Sequence, residues 1–343
     1  MKSSLLARAQ SLPECLAAVA SGLRQIRPGE WEFELHTMAG SHPLKSTARL
    51  EDEWLLLRAY RELEKAGKDR VGAASPWEML QLNSEIPGIA RVCLEASTQQ
   101  PYIAAEIPVE EASDLRGEIH RACLGIEAAA GGLAAQGVVS RIALGHASSN
   151  ASSDARPQVS PALAGAAGAN STRDLDLRER CHAAGWPFTE RDGGGLAIEL
   201  ETSPSAGFHQ ARMAALPGDE GVAIHVDFPV ALDLSPASRE ALGLFLLTAA
   251  GALRLVRATG RLVDGRATLG FEVRLGMADA FAVGQALGAC SVACEQCGQE
   301  VKALQDERLA REYLAMRFGS DSTYSNSLSL STLNAPFPGE RSF

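Results

Sequence analysis

The fold class the sequence predicts is α+β: two copies of one α-βββ-α-ββ-α domain, each built on a small antiparallel sheet. Three observations carry it. Apolar and polar residues alternate with period two in short runs of both halves, the mark of half-buried strands. Asp264-Gly265 joins two such runs as a hairpin turn. The same order of elements occurs twice along 343 residues, a length sufficient for two domains of ordinary size.

The first half begins with an expected helix from Leu12 to Ile26, interrupted early by Pro13. Trp31, Phe33 and Leu35 alternate with Glu32, Glu34 and His36 as a first strand. Leu44 to Leu50 and Trp54 to Tyr60 follow as the second and third, although Trp54-Leu55-Leu56-Leu57 also fits a helix. Ser75-Pro76 supplies a hydroxyl N-cap and a first-turn proline for a short helix, Trp77 to Asn83. Ala90 to Ala96 and Tyr102 to Val109 form a hairpin that turns near Ser97 to Gln100. Ser113 then caps a long helix from Asp114 to about Ala135. These elements make a first domain, residues 1–142.

Residues 143–173 are rich in Ala, Ser, Gly, Asn and Pro and carry few large apolar side chains. Such a stretch buries too little surface to offset its ordering entropy and reads as a flexible linker. The second domain, 174–318, opens with a short helix, Asp174 to Ala184. Leu196, Ile198 and Leu200 mark a strand, and Phe208 to Leu216 a second, turning at Pro217-Gly218-Asp219. Val222, Ile224, Val226 and Phe228 share one face of a third. Ser235-Pro236 caps a helix to about Ala250, apolar nearly all round and hence deeply buried. Leu253 to Val263 and Thr268 to Leu275 are the hairpin, and one long helix runs from about Met277 to Met316. Residues 319–343 are Ser- and Asn-rich and read as a disordered tail. Placing Glu106 on Glu272, an offset of 166 residues, also pairs Ile107 with Val273, Val109 with Leu275 and Leu115 with Phe281. Few letters are identical, so the duplication rests on pattern.

Trp77-Glu-Met-Leu-Gln-Leu-Asn83-Ser-Glu-Ile-Pro-Gly88 leads into Ile89-Ala-Arg-Val-Cys-Leu-Glu95 and Pro101-Tyr-Ile-Ala-Ala-Glu-Ile-Pro-Val109. This stretch resembles the centre of the type III secretion chaperone-like fold, including YbjN-like proteins. There a short helix ending near an Asn precedes a hairpin and a long C-terminal helix. Leu82-Asn83 and Glu106-Ile107-Pro108 carry most of the likeness, which covers roughly Trp77 to Ile126; the second half shares it by element order alone, with Thr248-Ala249-Ala250 where the Asn would stand. The resemblance implies a domain that binds extended protein segments, often as a homodimer. Two domains on one chain would imitate that dimer, while a tandem chain departs from a free secretion chaperone.

Composition narrows the partners. A net charge of −10 argues against nucleic acid, whose phosphates need a basic surface. The longest uncharged apolar run, Ala241 to Leu253, is about thirteen residues, short of a membrane span. Lys2 followed by apolar residues and Ala18-Val19-Ala20-Ser21 mimics a signal peptide, but Arg8, Gln10, Pro13 and Glu14 interrupt it. Seven cysteines do not form a disulfide framework, which fits reduced thiols in a cytoplasm.

The sharpest chemical signal is Cys290-x3-Cys294-x2-Cys297. Its spacing matches the cluster ligands of radical S-adenosylmethionine enzymes, and its last two cysteines also suit zinc or redox work. Ala280, Val283, Leu287, Cys290, Cys294, Cys297, Val301 and Leu304 nonetheless trace one helical stripe, where thiols act as small hydrophobes. Core is the reading adopted, with no cofactor. Cys93 shares a strand face with Arg91 and Glu95 and is expected at the surface; His225 is expected to be solvated. Gly193-Gly194-Gly195 precedes a strand, the wrong place for a phosphate loop. Trp31, Trp54 and Trp77 lie near element boundaries and are the candidate partner-binding anchors, against a default of core packing. The sequence therefore points to a non-enzymatic protein that holds another protein or peptide segment. Self-assembly, as a homo-oligomer or an intrachain pseudo-dimer, and a metal protein using the three cysteines are the alternatives.

Overall fold

The computed structural model describes residues 11–36, 43–51, 54–60, 75–109, 115–146, 171–191, 195–207, 209–216, 221–231, 233–263, 266–275 and 280–318. The chain is α+β, with two antiparallel sheets of six strands that share no strand. The first half contains α1 (residues 11–17), β1 (Ser21–Arg27), β2 (Glu30–Leu35), β3 (Leu44–Glu51), β4 (Trp54–Tyr60), α2 (Pro76–Glu85), β5 (Arg91–Leu94), β6 (Pro101–Pro108) and α3 (Leu115–His146). The second contains α4 (Ser171–Ala183), β7 (Thr189–Glu190), β8 (Leu196–Leu200), β9 (His209–Ala215), β10 (Val222–Phe228), α5 (Pro236–Ala252), β11 (Arg257–Val263), β12 (Arg266–Leu275), α6 (Ala280–Ala303) and α7 (Glu307–Phe318). Strand order is β1-β2-β3-β4-β6-β5 in one sheet and β7-β8-β9-β10-β12-β11 in the other. The two orders are equivalent.

Each half therefore holds four strands before its middle helix, not three. Residues 21–26 form β1, an edge strand, where a helix to Ile26 was expected. Most of β1 is exposed, so it carries no alternation for a pattern to detect. Its counterpart β7 has two residues and is too short to leave a period. The expected single C-terminal helix is broken at 304–306, where the Asp306 carboxylate accepts from the N–H of Leu309 at 3.1 Å and starts α7. Helix also covers residues 143–146 and 171–173 of the expected linker. Residues 147–170, the tail 319–343, and the turns at Asp264-Gly265 and Pro217-Gly218-Asp219 lie outside the described residues.

Capping explains α2 well. The Ser75 hydroxyl accepts from Glu78 N–H at 3.2 Å while the Glu78 carboxylate accepts from Ser75 N–H at 2.7 Å, a reciprocal box followed by Pro76. On one face of the first sheet, Leu55, Leu57, Ile103 and Ile107 are buried together with Ile119 and Ile126 of α3. On the matching face of the second, Ile224, Val226, Phe271 and Val273 are buried with Val283, Leu287 and Cys290 of α6.

The middle helices cross over. α2 lies against β11 of the second half, α5 lies against β5 of the first, and the two helices also touch. A Cβ at Gly243 in α5 would stand 2.8 Å from the Pro76 carbonyl carbon and 2.9 Å from Trp77 N, so only glycine admits this approach. The packing is isologous in kind: equivalent surfaces of the two halves meet each other.

Candidate functional site

A sheet edge is a row of free donors and acceptors, and in an α+β scaffold it is the natural place for another chain to bind. The two sheets have four edges: β1, β5, β7 and β11. Their fates differ.

β5 and β11 are covered by the crossing of the halves. Asn83, fully buried near the end of α2, works as a substitute strand: its Oδ1 accepts from Val92 N–H at 2.7 Å, and its Nδ2 donates to the carbonyls of Val92 and Ala258, each at 2.9 Å. One side chain thus satisfies β5 of its own half and β11 of the other. The Ser84 hydroxyl donates to the Gly260 carbonyl at 3.2 Å, and Arg261 returns a bond to the Ser84 carbonyl.

Buried charge completes this seam. Arg257 on β11 donates to the carbonyls of Asn83 (3.1 Å), Ile86 (2.9 Å), Gly88 (2.6 Å) and Ala90, stopping the C-terminal end of α2 where the helix leaves carbonyls unpaired. Its counterpart Arg91, 166 residues earlier, donates to Glu106 at 2.8 Å and to the Leu253 carbonyl at the C-terminal cap of α5. Glu106 also accepts from the N–H of Leu255. Glu272 faces Arg257 across the hairpin and pairs with Arg274, which donates to the Ile86 carbonyl at 2.7 Å. Burial raises the Glu272 carboxyl, but Arg257 and Arg274 outweigh it and hold the group below the usual carboxylate range. Burial lowers the Arg257 guanidinium to about 9, so it remains charged at neutral pH.

β1 is different. Among the described residues it pairs with β2 only, and its outer side is open. Its residues from Arg24 to Arg27 are exposed, Ile26 to 42%. Two register shifts bulge it, and Arg24 pairs with Glu32 of β2. Where the chain enters β1, a pocket of about 150 Å³ lies between Ala18, Val19, the end of β2 at Leu35 and His36, and Leu124 on α3. β7 offers two exposed residues only.

The expected anchors Trp31, Trp54 and Trp77 are 4, 6 and 6% exposed, and none presents its indole at the surface. Trp77 sits in the seam beside Gly243, and its Nε1 has no partner among the described residues. Cys290, Cys294 and Cys297 line the buried stripe of α6, and burial pushes Cys294 up to about 12 and the other two higher. Among the described residues no three His, Cys, Asp or Glu side chains are grouped to hold a metal ion. Cys93 is buried, not exposed, because α5 of the other half covers its strand face. His225 is also more enclosed than a solvated surface histidine: its side chain is 35% exposed, 3.9 Å from Glu272. Gly195 is a left-handed turn residue at the start of β8, and no helix follows there. The residues that sequence reading passed over are Arg91, Arg257 and Arg274. The 166-residue offset that pairs Glu106 with Glu272 also pairs Arg91 with Arg257, and that was the available signal. No family model, curated protein or solved structure matches the chain.

Proposed function

We propose that this chain is a non-enzymatic protein-binding scaffold, a chaperone-like or adaptor protein that holds an extended segment of another polypeptide along β1. The observation that carries this reading is that, among the described residues, the outer side of β1 is open while the β5 and β11 edges are covered. A visiting strand gains main-chain hydrogen bonds there, and the adjoining pocket takes an apolar side chain. Bulges and arginines disfavour indiscriminate pairing, so the edge selects a partner instead of aggregating. Two equivalent halves crossing through their middle helices support reading them as tandem type III secretion chaperone-like domains forming a pseudo-dimer within one chain. Seven cysteines with no disulfide between them support a reducing, cytoplasmic setting. No helix among the described residues is long and apolar enough to cross a membrane.

The test uses the full chain and extended peptides selected on it from a random display library. Hydrogen exchange of the complex is expected to slow at the amides of residues 21–27, and Ile26→Asp with Leu124→Arg is expected to weaken binding at least tenfold. Protection confined to another element, or unchanged affinity in that variant, overturns the assignment to β1.

A further inference from the structure

Buried charge is concentrated in one place. Of the buried Asp, Glu, Lys and Arg side chains among the described residues, Arg91, Glu106, Arg257 and Glu272 sit in the seam, and only Glu118 lies elsewhere, beside exposed Arg121. The sheet–helix cores on either side are apolar, apart from Ser46 on β3 and His209 on β9. The carboxylates enclosed in the molecule therefore lie chiefly in the seam.

We propose that Glu106 and Glu272 form an acid-sensitive latch: when both carboxylates take up protons, the two halves undock while each sheet stays folded. Glu272 is faced by Arg257 from β11, by Arg274 on its own strand and by His225 from β10. Beside His225 lie Arg212, paired with Asp227, and Arg261, which serves the Ser84 carbonyl. Glu106 is faced by Arg91 from β5 and by the N–H of Leu255, with Cys93, Tyr102 and Arg58 on the same side of the sheet. Arg254 and Glu51 also pair across the seam, but both are partly exposed and contribute little.

Protonation removes two negative charges and leaves Arg91, Arg257 and Arg274 enclosed without a counter-ion. An uncompensated buried charge is strongly destabilising, and separating the halves returns all three guanidinium groups to water. Opening also lifts Asn83 and Ser84 off the strands they cover across the seam, so β11 joins β1 as a free edge. The latch does not depend on any ligand at β1.

The experiment follows the full chain by small-angle scattering and far-ultraviolet circular dichroism from neutral pH to about pH 3. The expected result is a reversible rise in radius of gyration above the roughly 20 Å of a compact chain this long, at a pH where the dichroism is retained. Glu106→Gln with Glu272→Gln should show the expanded form at neutral pH. Replacing both pairs by apolar residues (Arg91→Met, Glu106→Leu, Arg257→Met, Glu272→Leu) should keep the chain compact throughout. If either variant fails to fold, the wild-type titration decides. A rise in radius and a loss of dichroism in one step, or a wild-type chain that stays compact to about pH 3, overturns the latch.

Discussion

Asn83 does for two strand edges what neighbouring strands would otherwise do, and this makes it the most sensitive polar residue in the molecule. Asn83→Leu keeps the volume and strands Val92 N–H, Val92 C=O and Ala258 C=O in a buried seam. The loss should reach about 3 kcal/mol or more by denaturant unfolding, since each stranded group costs about 1–3 kcal/mol. A loss below about 1 kcal/mol would mean that water replaces the amide. Backbone strain gives a second contrast at the turns after the middle helices. Gly88 has φ +65° with nothing within 4 Å of where a Cβ would stand, and Leu255 takes φ +64° at the matching turn. Gly88→Ala should cost about 1 kcal/mol by denaturant unfolding, from the left-handed backbone alone. An unchanged midpoint would remove the argument. His225 adds a pH dependence: burial lowers its proton affinity below the ordinary 6.5, Arg212, Arg274 and Arg261 reinforce this, and Glu272 opposes it. The unfolded chain then binds that proton more readily, so stability is lost as pH falls below about 6.5. Unfolding curves at stepped pH should show a shallower fall in His225→Gln. An unchanged slope would assign the fall to other groups.

At the scale of elements, what was legible followed from burial on one side. β8, β10 and β12 alternate because large apolar side chains line the core face while small or polar ones take the other, and α2 was legible because Ser75, Pro76 and Glu78 write its start in adjacent letters. β1 was misread as helix because most of its side chains meet water, which leaves spacing without a period. The seam was illegible for a different reason: Asn83 and Arg257 stand 174 residues apart, and only the fold brings them together. The cysteine stripe was legible because Cys290, Cys294 and Cys297 advance with the turns of α6. Their chemistry follows from that position. Alkylation of the native chain at neutral pH should modify only the partly exposed Cys15 and Cys123, the latter slowly because burial, with Glu127, pushes its thiol up to about 12. Mass mapping that finds native-state label on Cys290, Cys294 or Cys297 would contradict the buried stripe.

The whole molecule is tied together by a seam in which each half completes the other. Arg257 stops a helix of the first half, Arg91 reaches the end of a helix of the second, and Asn83 spans both. Neither half keeps all its buried polar groups paired when alone, so at neutral pH the two should unfold together in one transition despite having separate sheets. Gly243 is the place to break that coupling, because a side chain there meets the backbone of Pro76 and Trp77, which cannot move without displacing α2. Gly243→Val should separate the transition into two, with Trp186 reporting the second half once Trp31, Trp54 and Trp77 are replaced by Phe. If Gly243→Val lowers stability yet leaves a single coincident transition by fluorescence and circular dichroism, the halves are coupled through something other than the α2–α5 crossing.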